Sequence, residues 1–259
     1  MSVQVQTNDR ICVVTIDRPS RRNAVDSVTA ETLFRAFKDF DQNPKLDVAV
    51  LTGASGNFCA GADLKALSDG DERPLDVGGE LGPMGPTRLN LSKPVIAAVE
   101  GYAVAGGLEM ALWCDLRVAA KDAKFGVFCR RFGVPLIDLG TIRLPRLIGQ
   151  SRAMDMILTG REVGADEAER MGLVNRLCEP GQALTEALKL AEQLSVLPQH
   201  CLRNDRQSVL EQWGLDWSAA TTREMELGLK SMQSGETLSG AKHFASGAGR
   251  HGQPRQDND

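Results

Sequence analysis

The sequence predicts an α/β protein: a parallel sheet built from strand–helix crossovers, with a helical layer added by the second half of the chain. Three observations lead there. Short β-rich runs alternate with helical stretches through the first half. Two of those runs, D-V-A-V-L (47 to 51) and P-V-I-A-A-V (94 to 99), lack polar alternation, as strands covered on both faces do. From Leu139 onward most segments carry helical spacing. Strands that feed helices imply parallel pairing. The 259 residues suit one large domain, or one domain with a small appendage. We read a core over 1–196 and a C-terminal helical region over 197–259.

Taken in order, Val3 to Gln6 and Ile11 to Ile16 are short strands, and Asn8-Asp9 between them marks a hairpin. Asp26-Ser27 caps a helix from about Val28 to Phe40, with Leu33, Phe34 and Phe37 at helical spacing. The strand over 47 to 51 ends at Thr52-Gly53. Residues 69 to 87 hold Gly, Pro and Asp in excess and read as a mobile loop. The strand over 94 to 99 ends at Glu100-Gly101, a helix begins near Gly106, and Leu116 to Ala119 is a further strand. Helices follow over 151 to 159, 165 to 171, 181 to 196, 198 to 212 and 217 to 232. The closing S-G-A-G-R-H-G-Q-P-R-Q-D-N-D reads as a frayed end.

Composition narrows the functional classes. Net charge is −4 with both signs interspersed, which argues against a nucleic-acid partner. The six cysteines form no C-x-x-C pair, and the three histidines lie in the last quarter, so no zinc site is expected. No apolar run approaches a membrane span of about 18 residues. With no signal peptide, a cytoplasmic protein with reduced thiols is the expectation.

Three glycine-rich loops are expected to leave strand ends: T-G-A-S-G-N-F-C-A-G-A-D-L-K (52 to 65), E-G-Y-A-V-A-G-G-L-E (100 to 109) and G-V-P-L-I-D-L-G-T (133 to 141). Ligands of parallel sheets bind beyond the carboxyl ends of strands. Small residues at a helix start leave backbone N–H groups free to meet a carbonyl oxygen, most strongly one that carries negative charge. Glu109 follows Gly106 by three residues in an otherwise apolar helix, so both share one face. A carboxylate there is expected to stay ionised under the helix dipole and to serve as a general base or water-activating group. The blander reading of Glu109 is a solvent-facing acid at a helix start.

F-C-A-G-A-D-L-K with G-Y-A-V-A-G-G-L-E-M-A-L-W-C-D resembles the crotonase (enoyl-CoA hydratase/isomerase) superfamily. I-D-R-P-S-R-R-N-A-V (16 to 25), L-P-R-L-I-G-Q-S-R-A-M-D-M-I-L-T-G (144 to 160) and A-D-E-A-E-R-M-G-L-V-N (165 to 175) extend the likeness over nearly the whole chain. The resemblance implies a spiral of ββα units and a C-terminal helical region that packs across subunits in homotrimers or homohexamers. It implies a coenzyme A thioester as substrate and no separate cofactor. Its oxyanion hole would be the N–H groups of Ala62 and Gly106. CoA-binding positions would be Arg22, Ala24, Ala60, Asp63, Leu64 and Lys65, with Phe244 near the adenine of a neighbouring subunit.

One position departs from the pattern. Hydratases with two glutamates carry the second in a segment like F-G-x-P-E-x-x-x-G, where this chain has Cys129. A thiol, neutral at pH 7, is a poor substitute for an acid that must hold water. Asp138, in I-D-L-G-T, resembles an acid of dienoyl-CoA isomerase relatives with the register offset by one. The acid–base pair is then Glu109 with Asp138, or one of them alone; the other reading of Asp138 is a cap for the helix that follows. Arg130, Arg131, Arg143 and Arg146 form a phosphate patch or, as is commoner, structural salt bridges. The resulting expectation is reversible hydration of a 2-enoyl-CoA. An enoyl- or dienoyl-CoA isomerase is the alternative, and an acyl-CoA-binding protein without turnover the reading from another class.

Overall fold

Val3–Asn8 (β1) and Ile11–Ile16 (β2) form the expected hairpin, with Asp9 in the left-handed region at its turn. In the computed structural model, which describes residues 2–73 and 75–247, every later strand of the main sheet is parallel to its neighbour. These are Val48–Gly53 (β3), Val95–Val99 (β4), Leu116–Ala120 (β6) and Arg176–Cys178 (β9), in the order β1-β2-β3-β4-β6-β9. Tyr102–Val104 (β5), Lys124–Gly126 (β7) and Glu162–Gly164 (β8) form a second, three-stranded sheet. The chain steps from β4 to β5 and from β6 to β7, crossing from one sheet to the other before each helical stretch. That is the expected spiral of strand–strand–helix units.

The unbroken apolar runs are explained by cover on both faces. Alternate residues of β3 and β4 point opposite ways. Ala49, Leu51, Ala97 and Val99 join the cluster made by Leu33, Phe37 and Phe40 of Ser27–Gln42 (α1). Val48, Val50, Ile96 and Ala98 meet Ala187, Leu190 and Ala191 of Ala183–Ser195 (α7). Phe37 is fully buried and stands edge-on to Trp113, ring centroids 4.8 Å apart. Burial of such a ring contributes about 2–3 kcal/mol.

The remaining helices are Leu64–Ser68 (α2), Gly106–Trp113 (α3), Gly140–Ile148 (α4), Gln150–Thr159 (α5), Ala165–Arg170 (α6), Gln199–Glu211 (α8), Trp217–Gln233 (α9) and Glu236–Ala245 (α10). α8 and α9 pack on each other and leave Val209, Trp217, Met225 and Met232 exposed, as is Trp213 in the 3-10 turn between them.

Two sequence expectations need correction. The 133 to 141 loop does not leave a strand: it follows a 3-10 turn over Phe128–Phe132. The stretch read as a mobile loop over 69 to 87 is buried from Gly82 to Thr87, where G-P-M-G-P-T packs under α3 and enters a 3-10 turn over Pro86–Arg88. The frayed-end reading falls mostly on residues 248–259, and with them His251, outside the described residues.

Candidate active site

Three segments converge at the ends of β3 and β4. Bridges between Val25 and Ala62 and between Cys59 and Ala103 tie them together. Asn23, wholly buried, donates from Nδ2 to the carbonyls of Ala54 (2.9 Å) and Asn57 (2.7 Å) and accepts at Oδ1 from Arg18 N (2.9 Å). The approach of α3 to this loop explains the Gly pair. A Cβ on Gly107 would stand 2.0 Å from the Cys59 carbonyl oxygen, which no rearrangement of a side chain could relieve. Gly61, at φ +93°, brings its loop so close that a Cβ there would lie 3.0 Å from Gly106 N. Ala105 caps α3 at φ 54° and ψ −126°, a conformation that costs an alanine about 1–3 kcal/mol. It is pinned on both sides: its N–H donates to Gly126 O (2.8 Å), and its carbonyl accepts from Glu109 N (3.2 Å). The N–H groups of Ala62 and Gly106 donate to no acceptor among the described residues.

Glu109 is 2% exposed, so the solvent-facing reading is excluded. Its Oε1 accepts from the backbone N–H of Asp138 (3.0 Å) and of Gly140 (2.8 Å). Its Oε2 accepts no hydrogen bond among the described residues. Burial, and then the negative charge of Asp138, push the carboxyl up to about 8, against the lowering effect of the two N–H donors and Arg143. This corrects the expectation that the helix dipole keeps Glu109 ionised: an 8-residue helix offers a fraction of a charge, and loss of water outweighs it.

Asp138 is not a helix cap. The capping position of α4 is Leu139, which makes no side-chain capping bond. The Asp138 carboxylate instead accepts at Oδ1 from Met84 N (2.9 Å) and from the Thr87 hydroxyl. A Cβ on Gly82 would lie 2.8 Å from that oxygen, so the buried turn needs glycine there. Burial raises the Asp138 carboxyl, and these two hydrogen bonds only partly offset it. Arg143 closes the network, donating to the carbonyls of Asp138 (3.3 Å) and Thr87 (2.8 Å).

Glu109, Asp138, Ala62 and Gly106 line one cavity of about 430 Å³, together with Cys129, Met84, Phe128 and Phe132. Cys129 sits in the turn after β7, its thiol raised by burial and then by Glu109, as suits an inert packing residue. Among the described residues no group of His, Cys, Asp and Glu could hold a metal ion. No helix of the described residues is long and apolar enough to cross a membrane.

The positions carried over for CoA fall into two groups. Arg22 is exposed, with its guanidinium 5.2 Å from the Tyr102 ring centre, and Lys65 and Leu64 are exposed on α2. Ala60 also lines the cavity. Ala24 and Asp63 are buried. Asp63 caps α2 through Ala66 N (3.1 Å) and pairs with Arg18 (3.0 Å), so its carboxylate is committed to bracing the loop. Arg130 and Arg131 are exposed, and each donates to one carbonyl, of Ile157 and of Gly160. Phe244 is exposed on α10.

Sequence reasoning missed Met84, Thr87, Gly82 and Arg73, all of which meet the cavity or its acids. The doubled Gly-Pro of G-P-M-G-P-T was the available signal, since two prolines stiffen a turn.

The cavity thus brings two carboxyl-bearing residues alongside two residues whose N–H groups have no acceptor among the described residues. A family model described as enoyl-CoA hydratase/isomerase matches residues 6–246. An enoyl-CoA hydratase of Mycobacterium tuberculosis, EchA19, is 35% identical over 248 residues, 93% of this chain and 92% of its own length. The carnitinyl-CoA dehydratase of Escherichia coli is 40% identical over 195 residues, 74% of each chain. Among solved structures, enoyl-CoA hydratase EchA1 from Mycobacterium marinum superposes with a TM-score of 0.89 at 36% identity over 98% of each chain. An enoyl-CoA hydratase from Mycobacterium tuberculosis H37Rv gives 0.88 at 38% identity, over 95% of this chain and 96% of that one. On its sequence motifs, its two-sheet spiral and these likenesses, the chain belongs to the enoyl-CoA hydratase/isomerase family, the crotonase superfamily.

Proposed function

We propose that the protein catalyses reversible hydration of a 2-enoyl-CoA thioester. The observation that carries the reading is the convergence of two raised carboxyls, Glu109 and Asp138, with two unpaired N–H groups, Ala62 and Gly106, on one cavity. The N–H pair accepts the thioester oxygen and stabilises the enolate. Ionised Glu109, held at Oε1, takes a proton from water at Oε2 while the water oxygen bonds to C3 of the acyl chain. The same oxygen returns the proton to C2, so that one water is added across the double bond. Asp138 holds the water from the opposite loop. Arg22 and Lys65 meet the CoA portion, and no further cofactor is invoked.

A second reading, movement of a double bond along the chain, is favoured by Cys129. With no acid there, Asp138 becomes a partner for proton transfer between carbons. The exposed apolar residues of α8 and α9 support assembly as a homotrimer or a pair of trimers.

The test is incubation of 2-butenoyl-CoA and 3-butenoyl-CoA in ¹⁸O-labelled, deuterated water, read by mass spectrometry. Hydration places ¹⁸O and one deuterium in the product of the 2-enoyl substrate. Isomerisation alone gives deuterium without ¹⁸O. Neither label in either product overturns the proposed function.

A further inference from the structure

Glu109 is held by an uncommon piece of backbone. The two N–H groups on its Oε1, from Asp138 and Gly140, flank Leu139, which sits in the left-handed region at φ 70° and ψ 17°. A leucine keeps such a conformation only where its surroundings fix it. Arg143, near the start of α4, fixes it twice. Its backbone N–H donates to Leu139 O (2.8 Å). Its guanidinium donates from Nη1 to Asp138 O (3.3 Å), the carbonyl on the peptide between the two N–H groups. Nη2 donates to Thr87 O (2.8 Å), and the Thr87 hydroxyl donates to Asp138 Oδ1, so the clamp reaches the second acid as well.

Arg143 makes no ion pair among the described residues, so it is not one of the structural salt bridges that the sequence suggested. It lines a second cavity of about 580 Å³ and not the Glu109 cavity. The charges that bear on Glu109 are the Asp138 carboxylate, which opposes its ionisation, and Arg143, which favours it. Asp138 is faced in turn by Arg88 and Arg73. Those guanidinia donate to the carbonyls of Asp76 and Gly79 and of Val25 and Pro83, none of which holds Glu109. Cys129 presents a thiol to Glu109. Arg143 is also faced by the Cys114 thiol and by Asp115, which is already paired with Arg206.

We infer that Arg143 is a positioning residue of the proposed reaction: it clamps the backbone from Asp138 to Gly140 whose N–H groups hold Glu109, and it supplies the positive charge beside that acid. A guanidinium suits both tasks, because its planar fork spans two carbonyls and it stays charged at every pH of an assay. Without the clamp Leu139 is free to relax, and the two donors no longer converge on Oε1. Without the charge, ionised Glu109 keeps the repulsion of Asp138 and loses the cation that offsets it. The inference rests on Glu109 as the base of the proposed hydration.

The test makes two measurements on the parent, Arg143→Met and Arg143→Lys. One is the pH dependence of kcat and KM for 2-butenoyl-CoA. The other is titration of Glu109 in the ligand-free protein by difference infrared spectroscopy, with its carboxyl band identified by its loss in Glu109→Gln. Arg143→Met has neither fork nor charge. Its infrared midpoint and the rising limb of kcat should both move up by about one pH unit. Its kcat at pH 7 should fall by about 10–10²-fold with KM unchanged. Arg143→Lys keeps the charge and loses the fork, so its midpoint should stay near that of the parent while kcat falls at every pH. An unmoved midpoint in Arg143→Met overturns the inference, because a merely structural loss lowers kcat equally at all pH. If circular dichroism shows Arg143→Met unfolded, the lysine variant decides: a kcat equal to that of the parent overturns the clamp. A raised KM with kcat unchanged would make Arg143 a binding residue and also overturns it. No hydration by the parent at any pH overturns the proposed function, and this inference with it.

Discussion

Glu109→Gln separates the two consequences of burying a carboxyl in this cavity. The amide oxygen of glutamine occupies the place of Oε1, so the bonds from Asp138 N and Gly140 N survive. What disappears is ionisation. The folded protein holds the carboxyl at about 8, against an ordinary 4.5. At 1.36 kcal/mol per pH unit, that gap is a ceiling of about 5 kcal/mol against the ionised folded form. Below pH 4.5 the acid is neutral in both states and nothing is lost. Between 4.5 and about 8 the unfolded chain ionises while the folded chain keeps its proton, so stability declines as pH rises. At pH 7 the loss is about 3 kcal/mol, and above pH 8 it is complete. The glutamine variant escapes it. Urea denaturation at pH 4, 7 and 9 should therefore give the variant little advantage at pH 4, about 3 kcal/mol at pH 7 and most at pH 9. Any cost of seating the amide NH₂ is the same at every pH, so the trend is diagnostic. The same variant should lose hydration by about 10²–10⁴-fold. A stability difference flat across pH would refute the burial argument, and undiminished turnover would remove Glu109 from the chemistry.

The remaining predictions concern the parts around that acid. If ionised Glu109 is the base, kcat/KM for hydration should climb with pH and level off above about pH 8; a plateau already reached at pH 6 contradicts this. Gly106→Pro deletes one N–H donor and should cost about 10²–10³ in turnover, with circular dichroism to verify the fold, since the ring also displaces Met84 Sδ from beside Gly106. Asp138→Asn should suppress transfer between 3-enoyl and 2-enoyl thioesters more than hydration, measured as product partition; equal rates for parent and variant would leave Asp138 only its bonds to Met84 and Thr87. Arg22→Ala should weaken binding of a CoA thioester more than of its pantetheine analogue, through loss of a charge-assisted phosphate contact; equal losses would place Arg22 away from the nucleotide.

The legible parts of this molecule are those fixed by local pattern. The β1–β2 turn, the Asp26 cap of α1 and the doubly buried β3 and β4 follow from neighbouring residues alone. Glu109 was legible as a lone acid in an apolar helix. Its proton affinity was not, because that depends on burial by the folded chain and on the charge of Asp138, twenty-nine residues away. Asp138 read equally well as a cap, since local sequence cannot reveal that Met84 and Thr87, more than fifty positions earlier, take its oxygen. The strands β5, β7 and β8 are three residues each, too short for periodicity to register. Arg73 escaped for the opposite reason: its neighbours look like loop, and only the packing of 82 to 87 reveals a buried cation.

The backbone of Ala105 has a consequence for how the site meets its ligand. Glycine would sit at φ 54° and ψ −126° without penalty, yet the chain has alanine there. An alanine has fewer other conformations within reach, and this one is clamped by Gly126 on one side and Glu109 on the other. The direction of the Gly106 N–H is therefore held by the fold itself. If that N–H meets the thioester oxygen as proposed, its dipole need not turn when charge grows there, and the reorganisation free energy at that donor is small. Under the proposed function, Ala105 exchanges some folding stability for a donor whose direction is set by the fold. A glycine there would relax the strain and let the donor wander.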